Sequence, residues 1–172
     1  HHLCDKENPY AIIVNNQMCN YPNKQLSGVG VVYKFLQALD DRLWNDFAND
    51  YLDLVALGLI ADVMNITELE NKRLIDKGLS NITNKLFQSL CEKQSYSTGN
   101  TITPIGVQFY IVPLINGMIR AGDSDEKELL FQAFIENDQI FKYKKRGEEN
   151  EIEETIYDRV ARLCANAKTR QN

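Results

Sequence analysis

The chain has 172 residues, 44% of them hydrophobic and 25% charged, which is enough for a globular domain with a core of its own. A formal net charge of −5 supplies no general basic field, so any nucleic-acid binding has to come from a local groove or a metal site. The longest apolar run, Leu54 to Met64, is shorter than the roughly 18–20 residues that span a bilayer and contains Asp62, so no membrane helix is expected.

His1 and His2 open the chain and are its only histidines. Imidazole is the commonest metal ligand, so the pair reads either as a ligand pair or as a tag remnant. A strand is expected near Ala11 to Val14, then a turn at Tyr21-Pro22-Asn23. Ser27 and Gly28 mark a helix start, with Val31, Val32, Phe35, Leu36, Leu39 and Leu43 at helical spacing as its core face. The backbone N–H groups of such a start can face an anion.

The run from Leu54 to Met64 lacks polar alternation and is too long for a typical strand, which predicts a helix buried nearly all round. No Lys or Arg lies between Arg42 and Lys72 to neutralise Asp62. A carboxylate there either binds a cation or sits at the helix end and reaches water. Gly58 shares its face, and a small residue there suits either close approach of an ion or packing against another helix.

Helices are expected over 68–79 and 83–91, with a polar loop over 92–101 as a subdomain boundary. Thr103-Pro104 starts a further helix that Pro113 should kink. Asn116 and Arg120 lie on one face of it, and Arg120 is either a bidentate phosphate donor or a last-turn cation favoured by the helix dipole. Another helix is expected over 127–134. The basic run Lys142-Tyr143-Lys144-Lys145-Arg146 is either a nucleic-acid contact, with Tyr143 stacking on a base, or a solvated linker. A final helix from about Glu148 carries the stripe Ile152, Ile156, Val160, Leu163 and Ala167, whose apolar face is expected to lack a partner and to fray or self-associate. Cys4, Cys19, Cys91 and Cys164 show no CxxC spacing, which reads as free thiols in a reducing compartment, with cytoplasm the default. A zinc site from Cys4, Cys19 and the histidines lacks the usual ligand spacing.

Several segments in order, His1-His2-Leu3, Val14-Asn15-Asn16-Gln17, Tyr21-Pro22, Leu26-Ser27-Gly28-Val29-Gly30-Val31, Leu52 to Val63, Glu70-Asn71 with Gly78-Leu79, and Pro113-Leu114-Ile115-Asn116 with Arg120, resemble the DHH phosphoesterase superfamily, and most closely its RecJ-like single-strand-specific exonucleases. The resemblance covers roughly residues 1–122. It implies an α/β fold class: the C-terminal part of a DHH domain, predominantly helical here with one or two strands, ending in a long connecting helix. The implied domains are 1–95 as the C-terminal portion of the DHH domain, 96–146 as a helical subdomain and 147–172 as the interdomain helix, with the family's second domain absent.

The resemblance further implies metal-dependent phosphodiester hydrolysis with two Mn2+ or Mg2+ ions, on single-stranded DNA in repair and recombination. By position His1 and Asp62 match metal ligands, His2 matches the histidine that hydrogen-bonds a phosphate oxygen, and Ser27, Gly28, Asn116 and Arg120 would contact phosphate or substrate. Single-strand binding protein or helicase partners, no membrane, and a cytoplasmic bacterial or phage setting are implied for the parent protein. The Asp of the DHH element and the upstream aspartates are missing, so the chain is expected to be a catalytically inert fragment. Three alternatives stand beside this reading: a DHH phosphodiesterase for short oligonucleotides or cyclic dinucleotides, a degenerate non-catalytic replication scaffold, and an unrelated helical interaction domain with a tag scar.

Overall fold

The structure is a computed structural model that describes residues 2, 8–144 and 151–171. The chain forms two compact units, His1–Asn81 and Ile82–Asn172, so the division falls ahead of the polar loop.

In the first unit an irregular segment leads into α1 (Gly28–Leu43), a 3-10 turn (Phe47–Tyr51), α2 (Leu52–Ala61) and α3 (Leu69–Ser80). The expected strand at Ala11 to Val14 does not form. These residues are irregular, with Ile12 97% exposed, and among the described residues no second strand pairs with them. A β-prone sequence needs a ladder partner to become a strand, and its apolar pattern alone does not supply one.

Helix α2 is buried nearly all round, as its composition predicts, with Val55, Ala56, Leu57, Leu59 and Ile60 in the core. Gly58 is a packing glycine: a Cβ there would meet Val29 Cγ1 of α1 at 2.5 Å. Helix α1 departs from expectation. It buries Gly30, Tyr33 and Asp40, while Val32, Phe35, Leu39 and Leu43 are exposed. Most of its predicted apolar stripe is therefore solvent-facing, and its contact with α2 is made instead by Val29 against Gly58.

In the second unit, α4 (Lys85–Lys93) is capped by Asn84, whose Oδ1 accepts from the Phe87 N–H at 3.1 Å. After the single turn α5 (Ser95–Thr98), Thr103 caps α6 (Pro104–Gly106), accepting from the Gly106 N–H at 3.0 Å. A wide π turn (Val107–Ile111) follows and runs into α7 (Val112–Ala121). Pro113 has no N–H to give its helix, and the widened turn absorbs this by letting the Val112 N–H reach the Val107 carbonyl, five residues back. Helix α8 (Ser124–Phe134) opens on a full capping box between Asp123 and Glu126.

Strands β1 (Ile140–Lys144) and β2 (Glu151–Thr155) form an antiparallel ladder in which Lys142 faces Glu153 and Lys144 faces Glu151. The basic run, as far as it is described, is thus a strand whose lysines stand opposite glutamates in the ladder register, rather than a linker. Lys145 and Arg146 lie outside the described residues. Tyr143 is covered by the Arg162 guanidinium, 4.2 Å from the ring centroid, so that face does not offer itself to a base.

Helix α9 (Ile156–Gln171) starts after β2, later than Glu148, and packs on α4, α7 and α8. Ile156, Val160, Cys164 and Ala167 are fully buried there. The expectation of an unpartnered, fraying face is corrected, since α7 approaches so closely that a Cβ on Gly117 would lie 2.7 Å from Lys168 Cα. Cys19, Cys91 and Cys164 are free thiols, and Cys4 lies outside the described residues. Burial pushes the Cys91 thiol up to about 11 and the Cys164 thiol up to about 12, which keeps both protonated and unreactive at neutral pH.

Candidate metal and phosphate site

The irregular segment before α1 is held in place by side-chain amides. Asn16 donates from Nδ2 to the Asn23 carbonyl at 3.0 Å, and Asn23 in turn donates to Glu70 Oε2 and to Asn71 Oδ1, each at 3.0 Å. Asn71, fully buried on α3, donates to the carbonyls of Gln25 (2.8 Å) and Asn65 (3.0 Å). Asparagine suits such a junction because it offers both donors and an acceptor to backbone groups that no helix or ladder satisfies. Lys24 donates to the Asn16 carbonyl at 2.7 Å and also to that of Cys19, which closes the loop between them.

Glu70 is the charged centre of this network. Its carboxylate accepts from the Tyr21 hydroxyl at 2.6 Å and from Asn23, and pairs with Lys34 Nζ at 3.2 Å. Burial alone would raise its pKa, but the hydrogen bonds from Tyr21, Asn23 and Lys34, with the lysine's charge, outweigh it and hold the carboxyl below its usual range. Burial and the neighbouring carboxylate push the Tyr21 phenol well up, so it stays a donor. Sequence reading found these residues as separate motifs, and their junction is tertiary.

The network bears on the first predicted site residues. His2 is exposed, and its carbonyl accepts from Asn15 Nδ2 at 2.6 Å, which ties it to the same asparagine-rich segment. His1 lies outside the described residues. Ser27 is the residue before α1 and is fully buried. It makes no capping bond, and its Oγ finds no partner among the described residues. Its hydroxyl therefore does not face solvent, whereas the adjoining Gly28 is half-buried at the helix start.

Asp62 is exposed at the C-terminus of α2, which is the second of the two readings its sequence position allowed, a carboxylate at the helix end that reaches water. The run ends in a Schellman motif: the Val63 N–H bonds the Ile60 carbonyl at 3.1 Å and the Met64 N–H bonds the Leu59 carbonyl at 3.0 Å. The motif needs a left-handed residue directly after Asp62, and Val63 takes it with φ of 53°. A β-branched side chain is disfavoured there by about 1–2 kcal/mol, so the helix end that presents Asp62 is strained. Among the described residues Asp62 makes no ion pair, and no three His, Cys, Asp or Glu side chains converge in a group fit for a metal ion.

Asn116 and Arg120 belong to the second unit, one turn apart on α7 beyond the π turn, with Asn116 half-buried and Arg120 exposed. Arg120 makes no ion pair among the described residues, which leaves its guanidinium open to solvent.

No family model matches the chain. A protein of the SPbeta prophage in Bacillus subtilis (strain 168), provisionally named a single-strand DNA-specific exonuclease, is 40% identical over 172 residues, which is 99% of this chain and 30% of that protein. The single-stranded-DNA-specific exonuclease RecJ of Thermus thermophilus is 30% identical over 126 residues, covering 73% of this chain and 19% of that one. In fold, a crystal structure of exonuclease RecJ bound to manganese matches with a TM-score of 0.74 at 24% identity, over 99% of this chain and 39% of that one. The chain thus spans about a third or less of the length of the relatives it matches.

Proposed function

We propose, from a chain that is RecJ-like in both sequence and fold, that its parent protein is a single-strand DNA-specific exonuclease. The observation that carries this is 40% identity across the whole described fold to a relative named for that activity. The reaction is metal-dependent phosphodiester hydrolysis with Mn2+ or Mg2+, two ions in the complete site, serving DNA repair and recombination in a bacterial or phage setting. Among the described residues no helix is long and apolar enough to cross a membrane.

The donor chemistry fits hard divalent cations. Asp62 is an exposed carboxylate without an ion-pair partner among the described residues, and carboxylate with imidazole suits manganese or magnesium. His1 and Asp62 would hold one ion, with further donors from elsewhere in the parent protein. When bound, such ions lower the pKa of an attacking water and offset charge on the phosphoryl oxygens. His2 hydrogen-bonds a phosphate oxygen, and the Asn15 contact to its carbonyl fixes where its backbone lies. Gly28 offers a first-turn N–H, with Ser27 shaping the helix entry. Asn116 and Arg120 grip the strand, the guanidinium as a bidentate phosphate donor. The helix that carries this pair favours the exonuclease over a phosphodiesterase for short oligonucleotides or cyclic dinucleotides. Single-strand binding protein or helicase partners belong to the same reading.

The test is digestion of end-labelled single-stranded and duplex DNA by the whole parent protein, with manganese, with magnesium and with a chelator. Metal-dependent release of nucleotides from the single strand only is the expected result. Equal digestion of duplex, or no digestion with either metal, overturns the reading. The 172-residue chain alone is expected to be inert in the same assay.

A further inference from the structure

Helices α1 and α3 of the first unit flank a groove of about 430 Å3, within the range of about 300–1,000 Å3 usual for small-molecule sites. None of the candidate metal or phosphate residues lines it. Its polar rim is formed by Lys34, Gln37, Glu70, Arg73 and Lys77, so three cations face one carboxylate in a chain whose net charge is −5. The carboxylate is already satisfied, because Glu70 is held by Tyr21, Asn23 and Lys34. Arg73 and Lys77 have no acidic partner within ion-pair distance among the described residues. They stand one turn apart on α3, where like charges repel, and an anion between them would relieve that repulsion.

The rest of the lining is apolar. Leu69 and Leu74 form one wall, and the Tyr33 ring forms part of the other. That ring is fixed in orientation, since its hydroxyl donates to Asn49 Oδ1 at 2.7 Å and accepts from Gln37 Nε2 at 2.9 Å. A fixed aromatic beside aliphatic side chains favours a flat, weakly hydrated body, while the cations at the rim favour phosphate. We infer that this groove binds a nucleoside 5′-monophosphate, with the phosphate between Arg73 and Lys77 and the base against Tyr33 and Leu74. The inference stands on the lining alone and does not need the proposed hydrolysis.

Amide NMR titration of the 172-residue chain at constant ionic strength tests it, with deoxyadenosine 5′-monophosphate, deoxyadenosine, inorganic phosphate and a short oligothymidylate as probes. The monophosphate is expected to give saturable shifts at Gln37, Arg73, Leu74 and Lys77, with nucleoside and phosphate each binding at least about tenfold more weakly. The double substitution Arg73→Gln, Lys77→Gln should weaken the monophosphate at least about tenfold while leaving other resonances in place, because both side chains are exposed. Shifts scattered over the surface, phosphate binding as tightly as the nucleotide, unchanged affinity in the double variant, or tighter binding of the oligothymidylate in the groove would each overturn the assignment.

Discussion

The Tyr21 hydroxyl donates to the Glu70 carboxylate at 2.6 Å across a sequence separation of 49 residues, and this bond fastens the irregular N-terminal segment to α3. Without it, a stretch that has neither helix nor ladder would rest mainly on backbone polar groups met by asparagine amides and the Lys24 ammonium. The segment that carries His2 is therefore as stable as this side-chain junction allows.

Replacement of Glu70 by Gln should cost about 1–3 kcal/mol at neutral pH, because charge-assisted hydrogen bonds are lost around a partly buried site. The pH dependence has a definite sign. Glu70 titrates below its ordinary 4.5 in the folded chain, so its contribution is present above that value and is lost as pH falls through the depressed one. Denaturation midpoints of the chain and of Glu70→Gln should thus converge as the pH drops below 4.5. Parallel curves down to the acid limb would show that the carboxylate is not held as described.

At Val63 the left-handed backbone should be relieved by glycine. Val63→Gly removes the Cβ clash but loosens the unfolded chain, for a net gain of about 0.5–1 kcal/mol, or about 1–4 °C in melting temperature. Val63→Thr keeps the branch and should gain nothing. A loss of stability in Val63→Gly would mean that the exposed valine makes packing that the fold does not show.

Overpacking at Gly58 should be costly and specifically repairable. Gly58→Ala brings a methyl group to 2.5 Å from Val29 Cγ1, for an expected loss of about 1–3 kcal/mol. Adding Val29→Ala should recover part of that loss, read as a coupling term in a double-mutant cycle. Simple additivity of the two changes would place the strain elsewhere.

For Asp62 the proposed role separates cleanly from stability. The side chain is exposed, so Asp62→Asn should move the melting transition of the chain by no more than about 0.5 kcal/mol. In the whole parent protein the same change should lower nuclease rate at least about 100-fold, with partial recovery at raised manganese. Full activity in that variant would remove Asp62 from the metal site.

Local pattern and local chemistry were enough for much of this protein. The unbroken apolar run announced α2 as a buried helix, Thr103-Pro104 marked a helix entry, and Pro113 announced a disturbance, because each depends on residues within one or two turns. Burial and partnership were not local. Asp62 lies in an apolar stretch of sequence yet faces water, since a Schellman turn ends α2 at Ala61, three residues before the apolar run stops at Met64. Among the described residues the β-prone Ala11 to Val14 stays unpaired, while the described part of the basic run, Lys142 to Lys144, lies in a strand, because a ladder needs a partner and the segment from Glu151 to Thr155 supplies one. The order of the motifs fixed the resemblance, but only tertiary structure joined Tyr21, Asn23, Glu70 and Asn71 into one network, since hydrogen bonds between distant residues leave no periodic trace in sequence.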